Sequence, residues 1–479
     1  AAFLRRVTLD LSGRVPTAEE AATFLDNKGP DRRAKLIDAL LARPEFGKQF
    51  GRTWRDWVCP PELPSNGNAG AQPYGQARAF GDWIGKKLTE GKSWAQITRE
   101  ILTVKGEIGK NPQVIFYALV GQGGGTSADG TSRAVASLFM GVQLQCARCH
   151  DDPYRDWSQR EHWGLAAFFG RSQGDFTKIE TGKGASKKPG EISIPGSAFK
   201  NSGQTVKAAF LRGPEYEVKG TDDLRPPFAE WLTAKDNAFF ARSLVNRTWF
   251  YLFSRGIVNP IDDFRPDNPP THPEVLDLLA AEFQSSGFDV KHLIRCILNA
   301  RVYQRTNSSD PQADPKQLAK QVDWFARYPL KLISTDMLFE SLKLALEDPA
   351  LDLRTVDPAL SSKFGESTPI GDAYQEFTRL FETNENDATD FRHGIPQFLA
   401  LMNHPRLSGG GKTVERLLKA KLEPTAIIEQ LYLGTLSRRP TSEETDEATR
   451  FVQESPTPRV GYNGLLWMLI NRSEFLLIR

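Results

Sequence analysis

The chain has 479 residues, of which 39% are hydrophobic and 25% charged, and its formal net charge is +2. This composition is that of an ordinary globular protein with room for two or three domains, and its balanced charge predicts no nucleic-acid partner. The 4 cysteines exclude a small, densely disulfide-bonded secreted fold. No apolar run approaches the roughly 20 residues of a membrane span, so we expect none in this chain.

The chain opens with AAFLRRV and without a methionine. We therefore expect a mature or trimmed chain, in which the lack of a signal peptide carries no information on the compartment.

Residues 1–120 are predicted to be helical. Thr17 is followed three residues later by Glu20, and this spacing is typical of a capping box at the start of a helix. A helical stripe then consists of the apolar residues Leu36, Ile37, Leu40 and Leu41. The segment GQGGGTSADG, at 121–130, lacks the Lys-Ser/Thr ending of a phosphate-binding loop and is predicted to be a connection.

The segment TSRAVASLFMGVQLQ, from Thr131, is predicted to be a helix that leads to Cys146, and REHWGLAAFFG a second short helix. The fold class is therefore predicted as mainly α, with two helical domains and a small β-rich insertion between them. We expect a helical domain at 1–170, the insertion at 171–225 and a second helical domain at 226–479, interrupted by an irregular stretch around 350–390. The insertion is Gly-, Lys- and Pro-rich and contains the β-like pieces EISIPG and TVKAAFL.

An internal repeat organises the helical parts. Three segments begin with Pro and Thr, continue through a helix and a turn, and end in a helix with the pattern L-[IL]-x-x-[LI]-[LI]-x-x-x-x-[FY]. These second helices are LIDALLARPEF (36–46), LIRCILNARVY (293–303) and LLWMLINRSEF (465–475). We expect the three helical hairpins to pack by similar faces, unless they reflect only convergent patterning.

The strongest chemical signal is the sequence Cys146-Ala-Arg-Cys149-His150. In a Cys-x-x-Cys-His motif the two thiols can add to the vinyl groups of haem, and the adjacent histidine can bind the iron. With 4 cysteines and 6 histidines, chance would produce this motif in about 4 of 10,000 such chains. A zinc half-site and a redox dithiol or disulfide remain alternatives, although the other cysteines, Cys59 and Cys296, are isolated and are expected to be buried free thiols.

The segments around this motif resemble a known family. FLRRVTLDLSGRVPTAEE and GVQLQCARCHDDPYRDWSQREHWGLAAFF are similar to the planctomycete cytochrome C domain, and NAFFARSLVNRTWFYLFSRGIVNPIDDFRPDNPPTHPEVLDLLAAEF and HGIPQFLALMNHP are similar to the C-terminal domain that accompanies it. The resemblance implies an exported protein with one covalent haem c, from bacteria that degrade complex polysaccharides. It places the haem on Cys146, Cys149 and His150. One position departs from the family, which often has Cys-His-Asp-His-Pro: the second histidine is replaced here by Asp152.

Two residues are candidates for the distal iron ligand. Met402 lies in the family-like segment FLALMNHP, and its alternative is an ordinary core methionine on a Leu-rich helix. His162 lies thirteen positions after Cys149, and its alternative is a packing histidine.

A second candidate site is the acidic loop NPIDDFRPDNPPTHPE, at 259–274. Asp262 and Asp263 could bind a hard cation or carry out acid–base chemistry on sugars. An Asp–Arg network that only fixes the loop is the alternative, and Asn246 and Arg247 are expected to join it.

Three functional hypotheses follow. The first is a periplasmic or otherwise extracytoplasmic haem c protein in electron transfer, with an unidentified redox partner and a possible role in polysaccharide catabolism. The second is a haem-containing enzyme that acts on a carbohydrate near the acidic loop or the domain interface. The third is a non-haem interaction protein with a disulfide between Cys146 and Cys149.

Overall fold

A computed structural model describes residues 1–59, 72–120, 127–175, 177–182, 184–196, 199–220, 222–307, 314–351, 399 and 401–479. The fold is mainly helical, at 57%, with only small sheets in the described part, which confirms the predicted fold class. The predicted irregular stretch around 350–390 lies almost entirely outside the described residues, as does most of the connection at 121–130.

The helices and strands are numbered here in chain order. The described α-helices are α1 (Ala2–Ser12), α2 (Ala18–Asp26), α3 (Arg32–Ala42), α4 (Pro44–Val58), α5 (Gln72–Thr89), α6 (Trp94–Leu102), α7 (Val114–Val120), α8 (Ala128–Val135), α9 (Gln159–Ala167), α10 (Arg225–Leu232), α11 (Phe240–Phe253), α12 (Pro273–Ser285), α13 (Val290–Asn299), α14 (Pro315–Asp323), α15 (Thr335–Ala345), α16 (Pro405–Ser408), α17 (Gly411–Lys419), α18 (Pro424–Leu436), α19 (Ser442–Glu454), α20 (Pro458–Ile470) and α21 (Ser473–Leu476). The strands are β1 (Gly106–Glu107), β2 (Ser172–Gly174), β3 (Lys178–Thr181), β4 (Glu191–Ser193), β5 (Thr205–Lys207), β6 (Lys331–Leu332) and β7 (Leu477–Ile478).

All strand pairs are antiparallel. One sheet has the order β1-β3-β2, and β4 pairs with β5 and β6 with β7. Strands β2 to β5 fall within the predicted β-rich segment, and β4 and β5 coincide with the pieces EISIPG and TVKAAFL. The strands are only two to four residues long, so the helices supply most of the core.

The chain forms two compact units, and each is described by itself. The central unit comprises residues 50–297, and the split unit comprises residues 1–49 together with 298–479. This division differs from the boundaries expected at 171 and 226, both of which fall inside the central unit. The difference arises because α1 packs with elements from the second half of the chain.

Two buried arginines of α1 hold the split unit together. The Arg5 guanidinium donates to the carbonyl oxygens of Thr435, at 2.7 Å, and Phe475. The Arg6 guanidinium donates to the carbonyl oxygens of Tyr303, at 2.8 Å, and Arg305, at 3.0 Å. Carbonyls at and beyond the ends of helices lack helical partners, and a guanidinium with five donors can satisfy several of them at once.

The repeat extends to the helix that precedes each hairpin. Helices α1, α11 and α18 each end at a residue in the left-handed conformation, whose N–H bonds to the carbonyl four residues back. These residues are Gly13, Ser254 and Ser437, with φ of 66°, 56° and 62°. An arginine follows each of them, and the next helix then begins after a Pro-Thr pair in the first and third repeats and after Thr271-His272 in the middle one.

The second helices of the three hairpins bury equivalent residues, which confirms that they pack by similar faces. The pattern positions that are buried are Ile37, Leu40, Leu41 and Phe46; Leu293, Ile294, Ile297, Leu298 and Tyr303; and Leu465, Leu466, Leu469, Ile470 and Phe475. The leucines and isoleucines form one stripe of each second helix, whereas Phe46, Tyr303 and Phe475 lie just beyond its end.

The first and third repeats share a charged junction as well. Glu20 and Glu444 each complete a capping box with the threonine three residues before. Glu20 also accepts from Arg14, at 2.9 Å, and Glu444 accepts from Arg438, at 2.6 Å. The predicted capping box at Thr17 is therefore confirmed, and its glutamate has a second role, which is to tie the helix start to the preceding turn.

These junctions predict acid sensitivity of the split unit. Burial would by itself raise the pKa of Glu20, but the Arg14 hydrogen bond lowers it to about 2, and the Arg438 hydrogen bond lowers the pKa of Glu444 to about 2. Both values lie below the ordinary one, so the stabilisation is complete above about pH 4.5 and is lost as the pH falls towards 2. Because solvent screens these charges, each ionised glutamate contributes on the order of 1 kcal/mol to the free energy of unfolding.

The double variant Glu20→Gln/Glu444→Gln should therefore be less stable than the wild type at pH 7, by about 2 kcal/mol. At pH 3 the difference should be at most about half as large. Urea denaturation at the two pH values measures both. An equal difference at pH 7 and pH 3 would show that the charge of these carboxylates does not contribute.

Candidate functional site

The Cys-x-x-Cys-His segment lies in the central unit between α8 and α9. Helix α8 begins at Ala128, three residues before the predicted start, because Ser127 caps it by accepting from the Gly130 N–H at 3.1 Å. A π-helical turn follows at Ala136–Met140. Gly141 ends this turn with φ of 72°, and an added Cβ would lie 2.7 Å from the Phe264 ring. A glycine is therefore required at the point where the chain turns towards the cysteines.

The two cysteines lie on a 3-10 turn at Cys146–Arg148, with Cys149 at its end. Both are free thiols; Cys146 is exposed and Cys149 is half-buried. The His150 ring is exposed, and its Nδ1 lies 2.7 Å from the Asp151 carbonyl oxygen. A carbonyl can only accept, so Nδ1 carries the proton and the lone pair lies on Nε2. Metal-binding histidines typically have this second interaction, so the donor set fits a haem c.

Helix α9 and the connection between β4 and β5 hold the motif through hydrogen bonds to its backbone. The buried Gln159 amide donates to the Cys149 carbonyl oxygen at 2.9 Å, and the Trp163 indole donates to that of Arg148 at 3.0 Å. The Lys200 N–H donates to the same Cys149 carbonyl at 3.0 Å. The cysteine side chains are thus left available while the turn that carries them is fixed.

Asp152 has a structural role at the position where the resembled family often has histidine. Its Oδ1 accepts from the N–H groups of Tyr154, at 2.9 Å, and Arg155, at 3.1 Å, while its own N–H donates to the Trp157 carbonyl. Asparagine and aspartate commonly stabilise turns in this way. Asp152 therefore shapes the loop between His150 and α9.

Asp129, on α8, connects three cationic or imidazole groups around the motif. Its carboxylate lies 2.8 Å from Arg148, 3.1 Å from Arg133 and 3.0 Å from Nε2 of His162. Burial would by itself raise the pKa of Asp129, but the His162 hydrogen bond and the charge of Arg133 hold it below its usual value. The carboxylate is therefore ionised and fixes the orientation of its neighbours.

The structure places His162, one distal-ligand candidate, in the interior of the central unit. Its ring is fully buried, Nε2 bonds to Asp129, and Nδ1 has no hydrogen-bond partner. Nδ1 is therefore the nitrogen through which His162 could bind a ligand.

Met402, the other candidate, lies in the split unit. Its carbonyl oxygen accepts from the Trp467 indole at 3.0 Å, and 44% of the residue is exposed. The alternative that Met402 is a core residue is therefore wrong. Met140, which precedes the cysteines, is buried.

Asp262 is bound to the segment before the cysteines. Its two oxygens accept from the Ser137 hydroxyl, at 2.6 Å, and from the Gln143 amide, at 2.7 Å. Asp262 also acts on the buried Arg247: burial lowers the pKa of that guanidinium to about 10, and the Asp262 charge opposes the shift. Arg247 itself donates to the carbonyl oxygens of Ser137, at 2.7 Å, and Leu138, at 3.0 Å.

Asp263 is bound to the segment after the cysteines. It is 4% exposed, and its carboxylate lies 2.8 Å from Arg155 and 3.1 Å from Arg265. Arg155 also donates to the Gln143 side-chain oxygen at 2.7 Å, and Arg265 donates to the Tyr154 carbonyl oxygen at 3.2 Å. The acidic loop is thus bonded to the segments on both sides of the motif. This agrees with the alternative interpretation of the loop as an Asp–Arg network.

Asn246 fixes the base of the acidic loop. Its amide donates to the carbonyl oxygens of Val258, at 2.8 Å, and Ile261, at 3.1 Å, and its oxygen accepts from the Val258 N–H at 3.0 Å. The expectation that Asn246 and Arg247 belong to this network is confirmed.

Comparison with family models divides the chain into two matched segments. Residues 1–174 match PSCyt2, a family described as a protein of unknown function (DUF1549), and residues 224–452 match PSD1, described as a protein of unknown function (DUF1553). Each of these matches covers less than half of the chain. These matches support the family-level resemblance to planctomycete cytochrome-type domains. No curated protein and no solved structure matches the chain.

The bracing network joins the two matched segments within the central unit. Gln143 and Arg155 belong to the PSCyt2 segment, and Asp262 and Asp263 to the PSD1 segment. The two matched segments of this chain therefore both contribute to one compact unit around the motif. Among the described residues, no helix is both long enough and apolar enough to cross a bilayer.

Five polar residues around the motif could not be assigned from the sequence. Asp129 and Arg133 have the spacing of a helical ion pair, which is a weak signal because most such pairs lie on the surface. The contacts of Gln143, Arg155 and Gln159 are made with residues distant in the sequence or across a turn, so no local pattern indicates them.

Proposed function

We propose that this protein is an extracytoplasmic c-type haem protein that transfers electrons. Cys146 and Cys149 would form the thioether bonds to the porphyrin, and Nε2 of His150 would bind the iron. The observation that supports this best is the Asp151 carbonyl at 2.7 Å from Nδ1 of His150, because it fixes the tautomer that a metal-binding imidazole needs. When bound, haem supplies an iron that alternates between ferrous and ferric states.

The protein's own residues would orient the attachment site. Gln159 and Trp163 hold the carbonyls of the 3-10 turn, so that the two thiols leave the backbone at fixed points. Arg148 is held by Asp129 at 2.8 Å. It also lies over the Phe199 ring, at 5.2 Å, which keeps its cation beside the attachment turn. A nearby cation destabilises ferric iron more than ferrous iron, because ferric iron carries the larger positive charge. Arg148 is therefore a candidate for tuning the reduction potential of the haem.

The decisive test is covalent haem retention after expression with a periplasmic haem-attachment system. The wild type should keep its haem through acid–acetone extraction, and the pyridine haemochrome spectrum should be that of two thioether bonds. Cys146→Ala and Cys149→Ala should each shift this spectrum to that of a single thioether bond, and the double variant should lose the haem. A reversible one-electron redox titration of the wild type then tests electron transfer.

Cys59→Ala is the matched control, because it removes a thiol outside the motif and should leave the spectrum unchanged. A wild type that carries no covalent haem would contradict the proposal. If its mass were instead lowered by two hydrogen atoms, with the loss located at Cys146 and Cys149, the disulfide hypothesis would replace it.

A further inference from the structure

Three metal-ligating side chains meet at the edge of the hairpin formed by α12 and α13. His292 and Cys296 are four residues apart on α13 and therefore lie on the same face of that helix. Glu282, on α12, faces them. In the part of the chain that the structure describes, this is the one group of three His, Cys or acidic residues whose ligand atoms lie within 4.8 Å of one another.

The distance between the sulfur and the imidazole nitrogen is close to that of two ligands in a tetrahedral zinc site. Tetrahedral zinc, with Zn–S of about 2.3 Å and Zn–N of about 2.0 Å, separates a sulfur and a nitrogen ligand by about 3.5 Å. Sγ of Cys296 lies 3.7 Å from Nε2 of His292. Nε2 of His292 also lies 2.7 Å from Oε1 of Glu282, a hydrogen bond that would open by about 0.6 Å to reach the tetrahedral spacing.

The chemistry of the three groups is also that of zinc. Thiolate, imidazole and carboxylate are its usual protein ligands, and three of them leave a fourth position for water. Glu282 is exposed, and His292 and Cys296 are half-buried, so an ion could enter from solvent. Burial and the negative charge of Glu282 raise the pKa of the Cys296 thiol, and a divalent cation between the two groups would reverse that effect.

We propose that Glu282, His292 and Cys296 bind one zinc ion, which links α12 to α13 and keeps an open fourth position. The site is separate from the Cys-x-x-Cys-His motif and does not depend on whether the protein carries haem. It also gives Cys296, expected from the sequence to be a buried free thiol, a defined partner.

Equilibrium dialysis of the full chain against zinc chloride, with metal content measured by mass spectrometry, tests the stoichiometry. The Cys146→Ser/Cys149→Ser background should be used beside the wild type, so that zinc held by the motif thiols is not counted. One zinc per chain is expected in that background. Cys296→Ser and His292→Ala should each weaken binding by at least about 100-fold, and Glu282→Gln by about 10-fold.

A second measurement locates the ion. Zinc should slow the alkylation of Cys296 by iodoacetamide about 10-fold, as followed by peptide mass spectrometry, because the bound thiolate is no longer a free nucleophile. Alkylation of Cys59 in the same sample is the internal control and should not change with zinc. Unchanged zinc binding in Cys296→Ser and His292→Ala, or alkylation of Cys296 that zinc does not slow, would overturn the proposal.

Discussion

Replacing Asp263 by asparagine should lower the free energy of unfolding of the central unit by about 3 kcal/mol. The side chain is 5% exposed, and its two oxygens lie beside Arg155 and Arg265. Asparagine keeps the size of the side chain but leaves both guanidinium groups without their counter-charge, and breaking a buried pair from one side costs about 3–5 kcal/mol. Urea denaturation measures the loss, and hydrogen exchange of peptides at 143–157 locates it.

Asp267→Asn is the matched control, because it makes the same charge change at an exposed position of the same loop. It should change the stability by less than about 0.5 kcal/mol. The comparison also separates the two hypotheses for the acidic loop. If Asp263→Asn left the stability unchanged and instead abolished binding of calcium or of a glycan, the bracing network would not be the role of this residue.

Replacing Asp10 by alanine should destabilise the split unit by about 3–5 kcal/mol, the cost of removing one member of a buried ion pair. The Asp10 side chain is fully buried and lies 3.1 Å from Nζ of Lys331. It also accepts from the Tyr303 hydroxyl at 2.6 Å. Burial, followed by the Asp10 charge, raises the pKa of Tyr303, so this phenol remains a neutral donor. Urea denaturation, with hydrogen exchange of α1 peptides, measures the effect.

The double variant Asp10→Leu/Lys331→Met provides the control. It removes both members of the pair, so neither Asp10 nor Lys331 remains as an ion without its partner, and it should be more stable than Asp10→Ala. Arg6, which stacks over the Tyr328 ring at 3.9 Å, stays in place in both variants. A double variant less stable than Asp10→Ala would show that the loss comes from packing or from the tyrosine hydrogen bonds rather than from the unpaired charge.

The elements that sequence predicts well are those specified by neighbouring residues. The capping box at Thr17 and the three hairpins depend on spacings of three to ten residues, and the structure has them. Local patterns carry this information because helix starts and apolar stripes are set within one or two turns.

The division into units could not be predicted in this way. The contacts of Arg5 and Arg6 reach residues 297 to 470 positions away, and nothing in the sequence of α1 indicates carbonyl partners at that distance. Gln143 likewise meets Asp262 across 119 positions. Such partners follow only from the packed arrangement of the helices.

The acidic loop shows how the repeat and the candidate site are related. In the first and third repeats, three residues separate the left-handed residue from the threonine that caps the next helix: 14–16 after Gly13, and 438–440 after Ser437. In the middle repeat the connection runs from Ser254 to Thr271, and His272 caps α12 without a side-chain hydrogen bond. The loop that carries Asp262 and Asp263 is thus a lengthened connector, and it reaches the cysteine segment.

The split unit has a consequence for how the chain is made. During synthesis, α1 leaves the ribosome long before its partners, since Tyr303 follows Arg6 by 297 residues and Phe475 follows Arg5 by 470. The contacts that define the central unit lie within residues 50–297, so this unit can form before the last helices of the split unit have been synthesised.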